Sequence, residues 1–184
     1  MNQLICGELS LNDQKSCNNC IRYFSDGCDH VVLKVAASED VQVINLEQIF
    51  LDAKKESLKI GGLCDWLMYS DTKIALAELT CCLPQYLENR TVNGEEIEGK
   101  RAKAYSQLSS SIEKLPTLDQ FKGKLDSYNS KVALFAYRVK ETAFLNDKAT
   151  RAMTPFFNMP QPRTVDMGNG FLFVRHPYPE VYKW

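Results

Sequence analysis

The sequence predicts an α/β domain built on a mixed β-sheet flanked by helices. Three observations carry this: apolar runs dense in β-branched residues at 30–35, 132–139 and 170–175; two further strands joined by a turn near 70–73; and apolar stripes at helical spacing between them. The order strand, helix, hairpin, one or two helices, strand, strand is that of an α/β chain, not of a bundle or a sandwich. A chain of 184 residues, 45% hydrophobic, buries a proper core, and this length favours one domain over 1–184.

Taken in order, residues 1–30 are an irregular segment rich in Cys, Asn and Asp, with little periodicity. His30 to Val35 reads as a short strand. Leu46, Ile49, Phe50 and Ala53 recur at three-to-four spacing and predict a helix near 45–57, with Lys54 and Lys55 at its C-terminal end, where the dipole favours cations. Gly61-Gly62 breaks the chain, and 63–80 reads as two strands about a turn at Ser70-Asp71-Thr72-Lys73. The polar stretch 88–98, with Asn93-Gly94, is expected to be a loop. Tyr105, Leu108, Ile112 and Leu115 form the stripe of a helix over 99–115, stopped by Pro116. A short helix follows at 118–127, then a buried strand at 132–139. Residues 141–168 read as loops, 170–175 as the last strand, and the tail is punctuated by prolines. The expected organisation is thus a Cys-rich segment (1–30), a core (31–140) and a loop-rich C-terminal part (141–184).

Several function classes are disfavoured. No apolar run reaches the roughly 18 residues of a membrane span, and the N-terminus lacks a basic region followed by an apolar core, so a cytoplasmic protein without a membrane partner is expected. Only two histidines, His30 and His176, are present, which leaves no convincing catalytic triad; phosphate-loop and dinucleotide fingerprints are absent. The net charge of −1 exerts no global pull on nucleic acid, but it is unevenly spread. Residues 100–184 carry 14 Lys and Arg against 7 Asp and Glu, and residues 1–99 carry 8 against 16. The basic half either forms a phosphate-facing surface or interleaves with the acidic one. The aromatics Phe156, Phe157, Tyr178, Tyr182 and Trp184 read as core closure before base stacking.

The hairpin carries the chemistry. If Tyr69 pairs with Ile74, then Leu67 faces Leu76 and Asp65 faces Glu78, which sets two carboxylates opposite one another with Cβ atoms about 5 Å apart. Opposed like charges destabilise a sheet, and a Mg²⁺ or Mn²⁺ ion, which takes carboxylate oxygens, compensates them. The plainer alternative is a solvated Asp at a strand end and a solvated Glu near Thr80, and a one-residue slip of register separates the two.

The run Cys64-Asp65-Trp66-Leu67-Met68-Tyr69, the turn, and Ile74-Ala75-Leu76-Ala77-Glu78-Leu79-Thr80 resemble the central motif of the PD-(D/E)xK nuclease superfamily. Lys100 to Leu108, including Gln107-Leu108, is similar to the helix that follows the motif in that family. The resemblance implies a restriction-endonuclease-like core over about 30–140. It also implies Asp65, Glu78 and the Leu79 carbonyl as Mg²⁺ or Mn²⁺ ligands, joined by Glu47 from an earlier helix. The motif lysine is replaced by Thr80, which has no charge to stabilise a hydroxide or a pentavalent phosphorus. Lys100, Lys103 and Gln107 share a helical face, so Lys100 or Lys103 is the candidate stand-in; the plainer reading of that face is a solvated one.

Cys17, Cys20, Cys28 and His30 follow a C-x2-C-x7-C-x-H pattern that suits structural Zn²⁺, with Cys6 as an alternative ligand. An iron–sulfur cluster, which some nucleases related to this superfamily carry, and ligand-free thiols are the other readings. Cys64, Cys81 and Cys82 read as core thiols. Two functions follow: a metal-dependent phosphodiesterase on DNA or RNA, or a catalytically degenerate nuclease fold that binds nucleic acid or a protein partner. A homodimer is compatible with either.

Overall fold

The computed structural model describes residues 2–3, 7–8, 20–25, 31–52, 62–139 and 165–184. Its elements are β1 (Asn2–Gln3), β2 (Gly7–Glu8), β3 (Cys20–Ser25), β4 (Val31–Ala37), β5 (Gln42–Asn45), α1 (Leu46–Asp52), β6 (Trp66–Tyr69), β7 (Lys73–Cys82), β8 (Arg90–Val92), β9 (Glu95–Ile97), α2 (Lys100–Lys114), β10 (Ser130–Val139), β11 (Val165–Asp166), β12 (Leu172–Pro177) and β13 (Val181–Lys183). The main sheet runs β1-β5-β6-β7-β10-β12-β11. It is mixed: β7, β10 and β12 are parallel, and the other pairs are antiparallel. The strands from residues 1–99 and those from 100–184 meet at the β7–β10 pair.

Alternation along β7 explains the layering. Ile74, Leu76 and Cys82 pack toward α1 and α2, in one core with Leu46, Phe50, Leu67, Leu108, Ile112 and Phe135. The small residues Ala75 and Ala77, with Leu79 and Ala136, face the other way against Val32, Leu33 and Val35 of β4. That second face is covered by another sheet, of order β13-β4-β3-β2. The expectation of a sheet flanked by helices therefore holds for one face. The other layer was hidden because β2 and β3 come from the segment read as irregular, and β13 follows the prolines of the tail; neither has a clear alternation of its own.

Helix α1 starts where expected because Asn45 caps it, its Oδ1 accepting the Gln48 N–H at 2.9 Å. Helix α2 buries Ala104, Leu108, Ser111 and Ile112. Tyr105, expected in the buried stripe, is instead exposed, with its ring edge-on to Phe173 at 5.5 Å.

Two further expectations are corrected. The polar stretch 88–98 contains the β8–β9 hairpin, whose Asn93 and Gly94 both take positive φ, as a two-residue turn between right-twisted strands requires. Residues 118–127 form successive turns and a 3₁₀ segment at Leu125–Ser127, not a helix. Gly123, with φ of +69°, interrupts any helical run there while Leu118, Phe121 and Leu125 still reach the core.

Gly99 precedes α2 and packs directly on the chain that leaves β7. Its N–H donates to Asn89 Oδ1 at 2.8 Å, and a Cβ at this position would sit 2.6 Å from the Asn89 nitrogen and against the Glu88 carbonyl carbon. Because those atoms are backbone, they cannot swing aside. Gly99→Ala is expected to cost about 1–3 kcal/mol in urea unfolding; an unchanged midpoint would show that the approach is not needed.

Candidate functional site

The register of β6 on β7 pairs Tyr69 with Ile74, Leu67 with Leu76 and Trp66 with Ala77. Continued by one residue, it sets Asp65 opposite Glu78 on the face toward α2. The two residues are lashed reciprocally. The Leu79 N–H donates to Asp65 Oδ2 at 2.7 Å, and the Asp65 N–H bonds the Glu78 carboxylate. A strand residue presents its N–H and C=O to one side, so the Leu79 carbonyl faces this same edge.

Glu78 is only 7% exposed, and its Oε2 has no hydrogen-bond partner. Burial, and then the charge of Asp65, push its pKa up to about 9; Lys103 and the Asp65 N–H pull the other way, and Glu47 adds a further upward push. Asp65, Glu78, Glu47 and Lys103 therefore form one electrostatic neighbourhood. Glu47 lies in the first turn of α1, which is tied to the site by the Leu46 N–H donating to the Asp65 carbonyl at 3.2 Å. Among the described residues no three His, Cys, Asp or Glu side chains form a group that could hold a metal; Glu47 acts on Glu78 as a charged neighbour.

Lys100 and Lys103 are both exposed on α2, and of the two Lys103 is the one whose charge acts on Glu78. The first turn of α2 has no acidic residue, and its N-cap, Gly99, offers no side chain. Lysines and an arginine there oppose the helix dipole, by roughly 0.3–1 kcal/mol each. Thr80, in the position of the motif lysine, is 8% exposed and lies beside Tyr137 of β10. Tyr137 is hydrogen-bonded to Arg175 of β12, which also pairs with Glu88 at 3.7 Å, and Glu88 with Arg101 at 2.6 Å. This network was not anticipated. The signal for it was a lone Arg at the end of the last predicted strand.

The chain before Asp65 is fixed from α2. Ser111 Oγ accepts the Cys64 N–H at 2.9 Å and donates to the Gln107 carbonyl at 2.8 Å. Gln107 Nε2 donates to the Leu63 carbonyl at 3.1 Å. Cys64 is fully buried; burial, reinforced by Glu78 and Asp65, drives its pKa well up and keeps the thiol protonated, unsuited to attack. Cys82 is buried in the same core.

Of the expected zinc set, Cys17, Cys28 and His30 lie outside the described residues, as does Cys6, while Cys20 is the first residue of β3. A cleft of about 630 Å³ lies at the far, turn end of β6, lined by Glu39, Asp40, Tyr69, Asp71, Lys124 and Tyr128 among others, and it includes none of the carboxylate-site residues. Among the described residues, no helix is long and apolar enough to cross a membrane. Comparison of the chain with protein-family models, with curated proteins and with solved structures gives no match.

Since Glu78 holds its proton to about pH 9 when folded but only to about 4.5 when free, folding retains a proton across that window. Its contribution to stability is whole below pH 4.5 and is lost as pH rises toward 9. Glu78→Gln removes this dependence. In chelator-treated protein the variant is expected to gain on the native chain between pH 5 and 9, by at most about 1.4 kcal/mol per pH unit. Parallel urea midpoints at pH 5, 7 and 9 would contradict it.

Proposed function

We propose that the chain is a metal-dependent phosphodiesterase acting on DNA or RNA, on a restriction-endonuclease-like core with Asp65 and Glu78 as its cation-holding pair. The observation that carries this reading is the opposed pair itself, with a buried Glu78 Oε2 that no protein donor satisfies. A buried acceptor without a donor costs about 1–3 kcal/mol, and two adjacent carboxylates in a poorly solvated place repel. Hard oxygen donors of this kind fit Mg²⁺ or Mn²⁺, which commonly use one or two carboxylates and take their remaining ligands from water and phosphate. Asp65, Glu78 and the Leu79 carbonyl would hold the ion. When bound, it supplies Lewis-acid activation of water and charge against the scissile phosphate.

The rest of the work falls to the chain. Asp65 is kept in place by the Leu79 N–H, so its carboxylate does not turn away from β7. Lys103 brings the positive charge that Thr80 lacks, from the first turn of α2. Its position against the helix dipole makes sense if that charge is needed at a phosphate.

The second reading, a degenerate fold that binds without cutting, is favoured by one feature: Thr80 stands where a lysine is required, and both it and Glu78 are closed in. With Glu78 protonated and no ion bound, the pair is stable without chemistry.

The two are separated by cleavage of single- and double-stranded DNA and of RNA with Mg²⁺ or Mn²⁺, alongside a calorimetric Mn²⁺ titration. The nuclease reading expects metal binding and cleavage, both lost in Glu78→Ala, and activity at least about 100-fold lower in Lys103→Ala. Absence of both binding and cleavage in the native chain would overturn it in favour of the binding module.

A further inference from the structure

We infer that Gln107 is a third side-chain oxygen donor to the Asp65–Glu78 cation site, an inference that rests on that pair holding a divalent ion. Its Nε2 donates to the Leu63 carbonyl at 3.1 Å. A carbonyl only accepts, so the amide cannot be turned over without setting two oxygens against each other. The orientation of Gln107 is therefore determined, and its Oε1 must point away from Leu63. That oxygen is buried and has no hydrogen-bond partner.

Among the described residues, the buried side-chain polar atoms in this condition are Gln107 Oε1, Glu78 Oε2 and Trp184 Nε1. Trp184 belongs to the opposite core, against β4. The two remaining atoms are oxygens, and both side chains are tied to one short stretch of chain: Gln107 is bonded to residue 63 and Glu78 to residue 65. Ser111 holds the stretch from the same helix, and Lys103 stands one turn before Gln107.

Two buried oxygens without a partner, on side chains tethered two residues apart, call for an occupant that both can serve. A carboxamide oxygen is an ordinary ligand of hard divalent cations. It also adds a ligand without charge, where Glu47 already raises the cost of ionising Glu78. A third carboxylate is not supplied by the described residues, and a neutral oxygen meets the need without one.

The test is Mn²⁺ binding to the full chain, by calorimetry and by the rise in Tm on adding Mn²⁺, in the native protein, Gln107→Met, Gln107→Glu and Glu78→Ala. Gln107→Met keeps the length and removes the amide; at least about 10-fold weaker Mn²⁺ binding and a smaller Tm rise are expected. Gln107→Glu restores an oxygen but loses the donor to Leu63, so it is expected to melt lower without metal yet to bind Mn²⁺ at least as tightly as the native chain. A purely structural glutamine would be damaged on both counts by both substitutions. Native affinity in Gln107→Met, or weakened Mn²⁺ binding in Gln107→Glu, overturns the inference while leaving the cation site standing. No Mn²⁺ binding by the native chain defeats the site itself, and the inference with it.

Discussion

The pairing of β6 with β7, held at one end by the Ser70–Lys73 turn and at the other by Asp65, decides which side chains meet everywhere else. A shift of β7 by one residue against β6 would send Ile74 and Leu76 to the second sheet and bring Ala75 and Ala77 under α2. Neither layer tolerates that exchange. The alanines leave room for β4 on one face, and the larger residues fill the space beneath the helix on the other. Steric fit over the length of the strands thus maintains the opposition of Asp65 and Glu78, which would not be chosen on electrostatic grounds.

That arrangement spends stability on a local conflict. Glu78 sits in a core that would accept a leucine, beside a second carboxylate, with cations placed at the wrong end of a helix to relieve it. The surrounding contacts are of the opposite kind: Ser111, Gln107, Asn45 and Leu79 each tie a loop or helix end to the strand ends around the pair. A rigid frame about an unfavourable centre is what preorganisation requires, since the frame must hold the charges together before any ligand arrives.

Much of this frame was legible because it follows from local rules. The strand alternation of 64–80 and the four-residue turn gave the register, and hence the facing carboxylates; the 3.6-residue stripe of Leu108 and Ile112 gave α2; the absence of lysine at Thr80 was plain in the residues themselves. The failures were of longer reach or of rival local signals. Asn93-Gly94 is a hairpin signal as well as a loop signal, and its polar flanks concealed the strands. Leu118, Phe121 and Leu125 have helical spacing, yet Gly123 breaks the run. The second sheet depends on β13 finding β4 from the far end of the chain, which no local pattern encodes. At the site, the fixed sense of the Gln107 amide depends on a carbonyl 44 residues away.

The seam between β7 and β10 has a consequence for how the protein is made. Its two strands are parallel and in register from Ser130 on Lys73 to Val139 on Cys82, so their union waits until the whole excursion through β8, β9 and α2 has been synthesised. The β6–β7 hairpin closes locally and early, whereas β10 carries the entropy of a long loop. For that interval on the ribosome, β7 shows a ten-residue apolar edge with its ladder unfilled. Such an edge pairs readily with a second copy. Newly made chains are therefore most vulnerable to aggregation before residue 139 emerges, and α2, arriving first, covers only the apolar face beside that edge.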